Sequence, residues 1–123
     1  MNNPLTNLKT AVWVYDIDHF CISWANDKAL ELWEADSPEE LRTRDFKVGS
    51  SDAVRSSLLD YQQAFLRGET RGEYWTFTPK NIVKKALLIM SGHVLEDGRM
   101  AMLCEALTLD LIPDMELVGS TVM

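Results

Sequence analysis

The sequence predicts an α+β domain in which short helices and one longer helix cover one face of a five-stranded antiparallel sheet. Two strand-like runs over residues 11–25 precede helical patterns over 26–68, and a period of two returns over 74–109. Strands that are segregated around a helical insertion and joined by tight turns are typical of an antiparallel sheet. The 123 residues, of which 46% are hydrophobic, suffice for one domain.

The first two strands form a predicted hairpin. Residues 11–16 and 20–25 are rich in β-branched and aromatic side chains, and the stretch 17–19 forms a polar tip between them. Asp16 and Asp18 have a spacing that suits a metal loop, but the other oxygen ligands of an EF-hand type loop are missing from the sequence. We therefore expect both aspartates to be solvated turn residues.

Two short helices follow directly. Asn26 is suited to cap the first helix, which ends near Ala35. Ser37, with Pro38 at the first helical position and Glu40 three residues after the serine, is a capping-box signature for the second helix. Acidic side chains at a helix start stabilise its positive end, so we interpret them as caps and not as a catalytic acid and base. The apolar residues of the first helix lie at helical spacing: Ala29, Leu30, Leu32 and Trp33.

The longest helix opens at Ser50 or Ser51 and ends at Gly68. Its apolar residues keep close to the spacing of an amphipathic helix, which predicts that one face lies on the sheet. These residues are Val54, Leu58, Tyr61, Phe65 and Leu66.

Three more strands are predicted after the long helix, over residues 74–78, 85–95 and 99–109. Pro79 marks the first turn between them, because proline supplies no donor to a sheet. Asp97-Gly98 marks the second turn and is the strongest hairpin signal in the chain. Antiparallel pairing of the last two strands follows from this short connection.

The fourth strand is apolar on both of its faces, although a strand with a wet face would alternate with polar residues. One face meets the helices, and we predict a homodimer that buries the other face, with help from Leu5 and Leu8. The alternative is that flanking helices of the full protein, or a fold-back of the N-terminal residues, cover this face. The two sets are Ala86, Leu88, Met90 and Val94 on one face and Leu87, Ile89 and Leu95 on the other.

The order of these elements resembles the PAS sensor domain over residues 11–110. Residues 26–33 are similar to the family's stretch of Asn, Ala, aliphatic and aromatic positions. Residues 37–46 are similar to its S-x-E-E-L-x-G-x-x-F stretch, with Arg44 where glycine is usual. Residues 98–109 are similar to its last strand, although the ending departs from the common Asp-x-Thr.

The resemblance implies helices over one face of a five-stranded antiparallel sheet, enclosing a pocket that holds a small-molecule ligand in some members. It also implies a sensor domain over 11–110, a leader or helix stub over 1–10, and an exit segment over 111–123 toward an effector domain such as a diguanylate cyclase or histidine kinase. The same large side chains also suit a filled core, so a ligand-free dimerisation or protein-interaction module is the alternative. By their position in this fold, the expected pocket residues are Tyr61, Phe65, Trp75, Met90, Met102 and Cys104.

The sequence identifies no cofactor and disfavours two. Haem needs an axial ligand such as histidine, which the resemblance places on the long helix, whereas His19 and His93 fall in a hairpin tip and a strand. A covalently bound flavin needs a cysteine in the short-helix region. Cys21 and Cys104 instead fall in strands, where we expect free structural thiols.

Composition and missing motifs exclude several function classes. The net charge of −7 argues against a nucleic-acid partner, because phosphate backbones require clustered Lys and Arg. No apolar stretch approaches the roughly 18 residues of a spanning helix, and no signal sequence opens the chain, so we expect a cytoplasmic segment without membrane contact. Because phosphate loops, nucleophile motifs and Cys/His metal clusters are missing from the sequence, we predict that the chain is not an enzyme.

Overall fold

The computed structural model describes residues 10–47, 51–80, 82–112 and 121–122. The predicted leader apart from Thr10, much of the predicted exit segment, and the predictions on Leu5, Leu8 and Ser50 therefore lie outside the described residues. In chain order the elements are β1 (Ala11–Asp16), β2 (Cys21–Ala25), α1 (Asp27–Leu32), α2 (Pro38–Arg42), α3 (Asp52–Leu66), β3 (Arg71–Phe77), β4 (Val83–Val94), β5 (Met100–Ala106), β6 (Asp110–Ile112) and β7 (Thr121–Val122).

Five of these strands form an antiparallel sheet in the spatial order β2-β1-β5-β4-β3, which confirms the predicted α+β class and the five-stranded sheet. The first hairpin is therefore part of the same sheet as the last strands, because β1 pairs with β5. Cys104 of β5 lies opposite Trp13 of β1 on one side and opposite Met90 of β4 on the other. Two short strands extend the sheet: β6 pairs with the start of β4, and β7 runs parallel to β3.

Asn26 links the start of α1 to the start of β1. Its Oδ1 accepts hydrogen bonds from the backbone N–H of Ala29 at 2.9 Å and of Val12 at 3.1 Å. Its Nδ2 donates to the carbonyl of Thr10 at 2.9 Å. The predicted cap is confirmed, and the same side chain also satisfies buried backbone groups of the neighbouring strand.

The predicted capping box of α2 is half formed. Ser37 caps the helix, since its Oγ accepts from the N–H of Glu40 at 3.0 Å. The Glu40 carboxylate accepts from the N–H of Asp36 at 3.3 Å, not from that of Ser37, and it also accepts two hydrogen bonds from Arg44. A nearby cation has replaced the reciprocal bond of the motif.

The long helix α3 lies on the sheet through a narrower stripe than predicted. Ser51 caps it, with Oγ accepting from Val54 N–H at 3.1 Å, and Gly68 follows its end with φ of 78°. Leu66 was predicted in the buried stripe, but it is 60% exposed because it falls beside Phe65 and not one turn after it. The prediction for Leu66 was therefore wrong.

Several predicted strand limits differ from the structure; the strand predicted from residue 85, for instance, begins at Val83. The strand predicted from residue 74 begins at Arg71, where pairing with Met90 starts. The strand predicted over 99–109 ends at Ala106, because Thr108 Oγ1 takes the place of a ladder carbonyl and accepts from Leu87 N–H at 3.2 Å. Residues 107–109 therefore leave the sheet before β6 rejoins it.

The faces of β4 differ in burial, and one assignment needs correction. Ala86, Leu88 and Met90 are fully buried beneath the helices, as predicted for that face. Val94 was grouped with them but is 60% exposed, because burial along β4 ends before its last residues, 92–94, which are all exposed. Leu87 on the opposite face is half-buried.

Asp16 is not a solvated turn residue, contrary to the expectation from the sequence. It is only 5% exposed, and its carboxylate accepts two hydrogen bonds from the Arg99 guanidinium. His19 Nδ1 lies 3.0 Å from the same carboxylate. The sequence around Asp16 gave no sign of this ion pair, because Arg99, the cation that binds Asp16, lies 83 positions later in the chain.

Candidate functional site

The six residues expected at a pocket all lie in the hydrophobic core between α3 and the sheet. Tyr61 and Phe65 come from α3 and are each 4% exposed. The four residues from the sheet, Trp75, Met90, Met102 and Cys104, have no exposed surface. We call this group of six side chains the interior site.

Tyr61 connects the interior site with the protein surface. Its ring stacks on Phe65 at a centroid distance of 6.3 Å and meets Trp75 edge-on at 6.1 Å. Its hydroxyl donates a hydrogen bond to the Glu73 carboxylate on β3. Burial and the Glu73 carboxylate together raise the pKa of Tyr61, so the phenol stays protonated at neutral pH. A polar surface cavity of about 400 Å³ opens above this pair.

The sulfur-bearing residues sit on the central strands. Cys104 on β5 pairs with Met90 on β4, and Met102 pairs with Gly92. Burial raises the pKa of the Cys104 thiol, so it is a neutral, apolar group and not a reactive thiolate. Cys21 is half-buried, and both cysteines are free thiols.

A second aromatic cluster, which we call the aromatic wall, continues the core beneath α1. Trp33 occupies its centre, with ring centroids 5.1 Å from Phe46, 5.1 Å from Phe77 and 5.7 Å from Trp13, all edge-to-face. The indole N–H groups of Trp13 and Trp33 are buried and meet no acceptor among the described residues, and the same is true of that of Trp75 in the interior site. Such polar atoms are rare in folded proteins and are the points at which an apolar core can bind a polar group.

Two cations hold the end of α1 and thereby position Trp33. Arg44 donates to the carbonyl of Trp33 at 2.7 Å and to that of Glu34 at 3.2 Å. Lys84 donates to the carbonyl of Leu32 at 2.5 Å. The last carbonyls of a helix lack intrahelical partners and carry a partial negative charge, which both side chains satisfy.

Neither cation was singled out from the sequence. Arg44 was noted only as a departure from the family's glycine. Lys84 alternates with Ala86, Leu88 and Met90, so the period of two already placed it on the inward face of the strand. That signal was available, but a lysine is normally assigned to solvent.

The described residues contain no group of three or more potential metal-ligating side chains. His19 and His93 are both exposed, away from the interior site. None of the helices in the described part of the chain has the length and apolarity needed to cross a lipid bilayer.

Comparison with known proteins found similarity in structure only. A scan of protein-family models and a search of curated proteins found no match. The PAS domain of an HTR-like protein from Haloarcula marismortui matches with a TM-score of 0.62 and 16% identity, covering 88% of this chain and 85% of that one. The PAS domain of nitrogen regulation protein NR(II) from Vibrio parahaemolyticus matches with a TM-score of 0.53 and 17% identity, covering 88% and 94%.

A Rhodobacter sphaeroides LOV protein matches with a TM-score of 0.57 and 12% identity, covering 89% of this chain and 64% of that one. These identities are low, so the likeness concerns the backbone arrangement and not individual site residues. It agrees with the five-stranded antiparallel sheet and its covering helices described above. The chain therefore has the PAS fold.

Proposed function

We propose that this chain is a regulatory sensor module. In this proposal it binds a small molecule in its apolar interior and signals, as a homodimer, to an attached effector such as a histidine kinase or a diguanylate cyclase. The fold supports a sensor role, and one similar structure belongs to a protein named for nitrogen regulation. We further propose that the module works in the cytoplasm and has no catalytic activity of its own.

The observation that carries this proposal is the pair of buried indole N–H groups on Trp13 and Trp33. Both rings are almost without exposed surface, at 0% and 1%. A buried donor without an acceptor costs free energy, which a ligand carbonyl or ring nitrogen would recover. The edge-to-face rings around Trp33 favour a flat or acyl ligand.

Binding can be tested with purified protein by native mass spectrometry and by a thermal-shift screen of metabolites. Trp33→Phe removes the N–H but keeps an aromatic ring, so it should weaken any ligand found by about tenfold. Trp24→Phe is the matched control, because Trp24 is half-buried and lies outside the core cluster. Equal affinity of the two variants, or no bound compound and no stabilised complex, would argue against an interior ligand.

The dimer part of the proposal rests on the sheet face opposite the helices. Leu87, Ile89 and Leu103 alternate with the buried positions and are half-buried there. Ile89→Glu should reduce dimer formation in light scattering across a dilution series, because it places a charge in the apolar contact. Leu59→Glu, at a 57% exposed site on α3, is the control that should leave association unchanged.

A ligand-free dimerisation or protein-interaction module is the second candidate. The close packing of Tyr61 on Phe65 and Trp75, with six fully or nearly buried side chains, favours a filled core. Under this candidate, Ile89→Glu disrupts association while no compound from the metabolite screen raises the melting temperature. The sensor proposal requires stabilisation by at least one compound.

A further inference from the structure

A groove outside the core lies between α1 and the ends of β4 and β5. Its volume is about 450 Å³, which falls in the range of small-molecule sites. Thr10 and Ala11 line one side, and Lys28 and Leu32 of α1 line the other. None of the six interior-site residues lines it, so it is a separate place for a ligand.

Lys84 lines this groove as a buried cation. It is 5% exposed, and its Nζ donates to the carbonyls of Leu32 at 2.5 Å and Glu31 at 3.3 Å. It forms no ion pair with a carboxylate of the described residues. An ammonium group has three N–H donors, so these two carbonyls leave one donor without a hydrogen-bond partner among the described residues. The Glu34 carboxylate acts on the Lys84 charge through space, but it forms no ion pair with Lys84 and does not line the groove.

Apolar side chains surround this charge at the opening of the groove. Ile82, Leu107 and Leu109 line it and are 43%, 48% and 47% exposed. They account for three of the large hydrophobic side chains that the described part of the chain exposes. Exposed apolar groups gathered around one buried charge are typical of a binding site and unusual for a solvated surface.

Other charges at the groove are already matched. Glu31 lies 3.4 Å from Lys28 Nζ, and its side chain is 72% exposed. Because that pair is neutral, Lys84 is the remaining cation among the side chains that line the groove. This charge complements a single anionic group.

We propose that the groove binds a monocarboxylate with an apolar chain or ring. The carboxylate accepts the remaining N–H of Lys84, and the apolar part covers Ile82, Leu107 and Leu109. The ion pair compensates the buried charge, and burial of the apolar part stabilises the complex. This site is independent of the interior ligand proposed above, and each can fail without the other.

Octanoate is a suitable probe, titrated into the ¹⁵N-labelled 123-residue protein and followed by ¹H–¹⁵N NMR. We expect saturable shifts at the amides of Ala11, Lys84 and Leu107, with octan-1-ol binding about tenfold more weakly because it lacks the charge. Shifts confined to the interior site would assign octanoate to the core and overturn the proposal.

Leu107→Glu places a carboxylate at the groove opening and should weaken octanoate binding by about tenfold through like-charge repulsion. Leu66→Glu is the matched control, since this leucine is 60% exposed and lies outside the groove. Equal octanoate affinity of the two variants would contradict the groove assignment, as would equal binding of octan-1-ol and octanoate.

Lys84→Met tests the charge directly and should abolish the preference for octanoate over octan-1-ol. Circular dichroism must show that this variant folds, because Lys84 also caps α1. If Lys84→Met does not fold, the octanoate affinities of Leu107→Glu and Leu66→Glu still test the groove assignment. A folded variant that keeps the preference would overturn the proposal.

Discussion

Arg99 binds Asp16 through two hydrogen bonds, although 83 residues separate them in the chain. Nη1 donates to Oδ1 at 2.8 Å and Nη2 to Oδ2 at 3.0 Å. The pair joins the β4–β5 turn to the end of β1. Burial raises the pKa of Asp16, but the hydrogen bonds from Arg99 and His19 outweigh it and lower that pKa overall.

Arg99→Ala should lower the free energy of unfolding by about 1–3 kcal/mol, because it leaves the buried Asp16 carboxylate without its main donors. Urea denaturation measures this loss. Arg67→Ala is the control: Arg67 pairs with Glu69 at 2.7 Å, but both side chains are solvent-exposed, so the loss should be clearly smaller than for Arg99→Ala. Equal losses of unfolding free energy in the two variants would show that the burial of Asp16 does not increase the contribution of its ion pair to stability.

The Glu40–Arg44 pair should make stability depend on pH. Hydrogen bonds from Arg44 are the main cause that lowers the pKa of Glu40 from 4.5 to about 2. The unfolded chain therefore binds the proton at higher pH than the folded chain. The contribution of this pair is present above pH 4.5 and is lost as the pH falls toward about 2.

Glu40→Gln should remove this part of the pH dependence, as measured by urea denaturation at several pH values between 4.5 and about 2. Glu39→Gln is the control on the same helix, where the carboxylate is 74% exposed and lies 3.5 Å from Arg42. A stability difference between wild type and Glu40→Gln that is constant across this range would contradict the prediction.

Gly92 permits the close approach of α3 to the sheet. A Cβ atom at this position would lie 3.0 Å from Phe65 Cβ and 2.8 Å from Met100 Sδ. Gly92→Ala should therefore cost about 1–3 kcal/mol of unfolding free energy through overpacking. At Gly72 the nearest atom is the flexible Ile89 Cδ1 at 3.1 Å, so Gly72→Ala should stay within about 0.5 kcal/mol of wild type. Thermal unfolding of both variants tests this difference.

Trp75→Ala should cost about 3–5 kcal/mol in urea denaturation, because the ring is fully buried against Tyr61. Tyr74 is the neighbouring control on the same strand. It is 53% exposed, so Tyr74→Ala should cost about 1 kcal/mol or less. A loss below about 1 kcal/mol for Trp75→Ala would show that this ring contributes little to the core.

Much of the element order follows from local signals in the sequence. The caps at Asn26, Ser37 and Ser51 and the turn at Gly98 are confirmed because each acts on backbone groups within a few residues. The period-two pattern also identified the inward face of β4 correctly from Ala86 to Met90. Local chemistry and periodicity were therefore sufficient to predict the α+β class and the antiparallel sheet, and the family resemblance extended this to the PAS fold.

The sequence by itself determined where helices and strands form, how the strands alternate, and which broad fold results. Only the tertiary structure decided which charged groups are buried, because each is compensated by a partner distant in the chain. Asp16 is compensated by Arg99, and Lys84 by the carbonyls of α1. Leu66 and Val94 also escaped prediction, because the buried face of α3 is too narrow to include Leu66 beside Phe65 and burial along β4 ends before Val94.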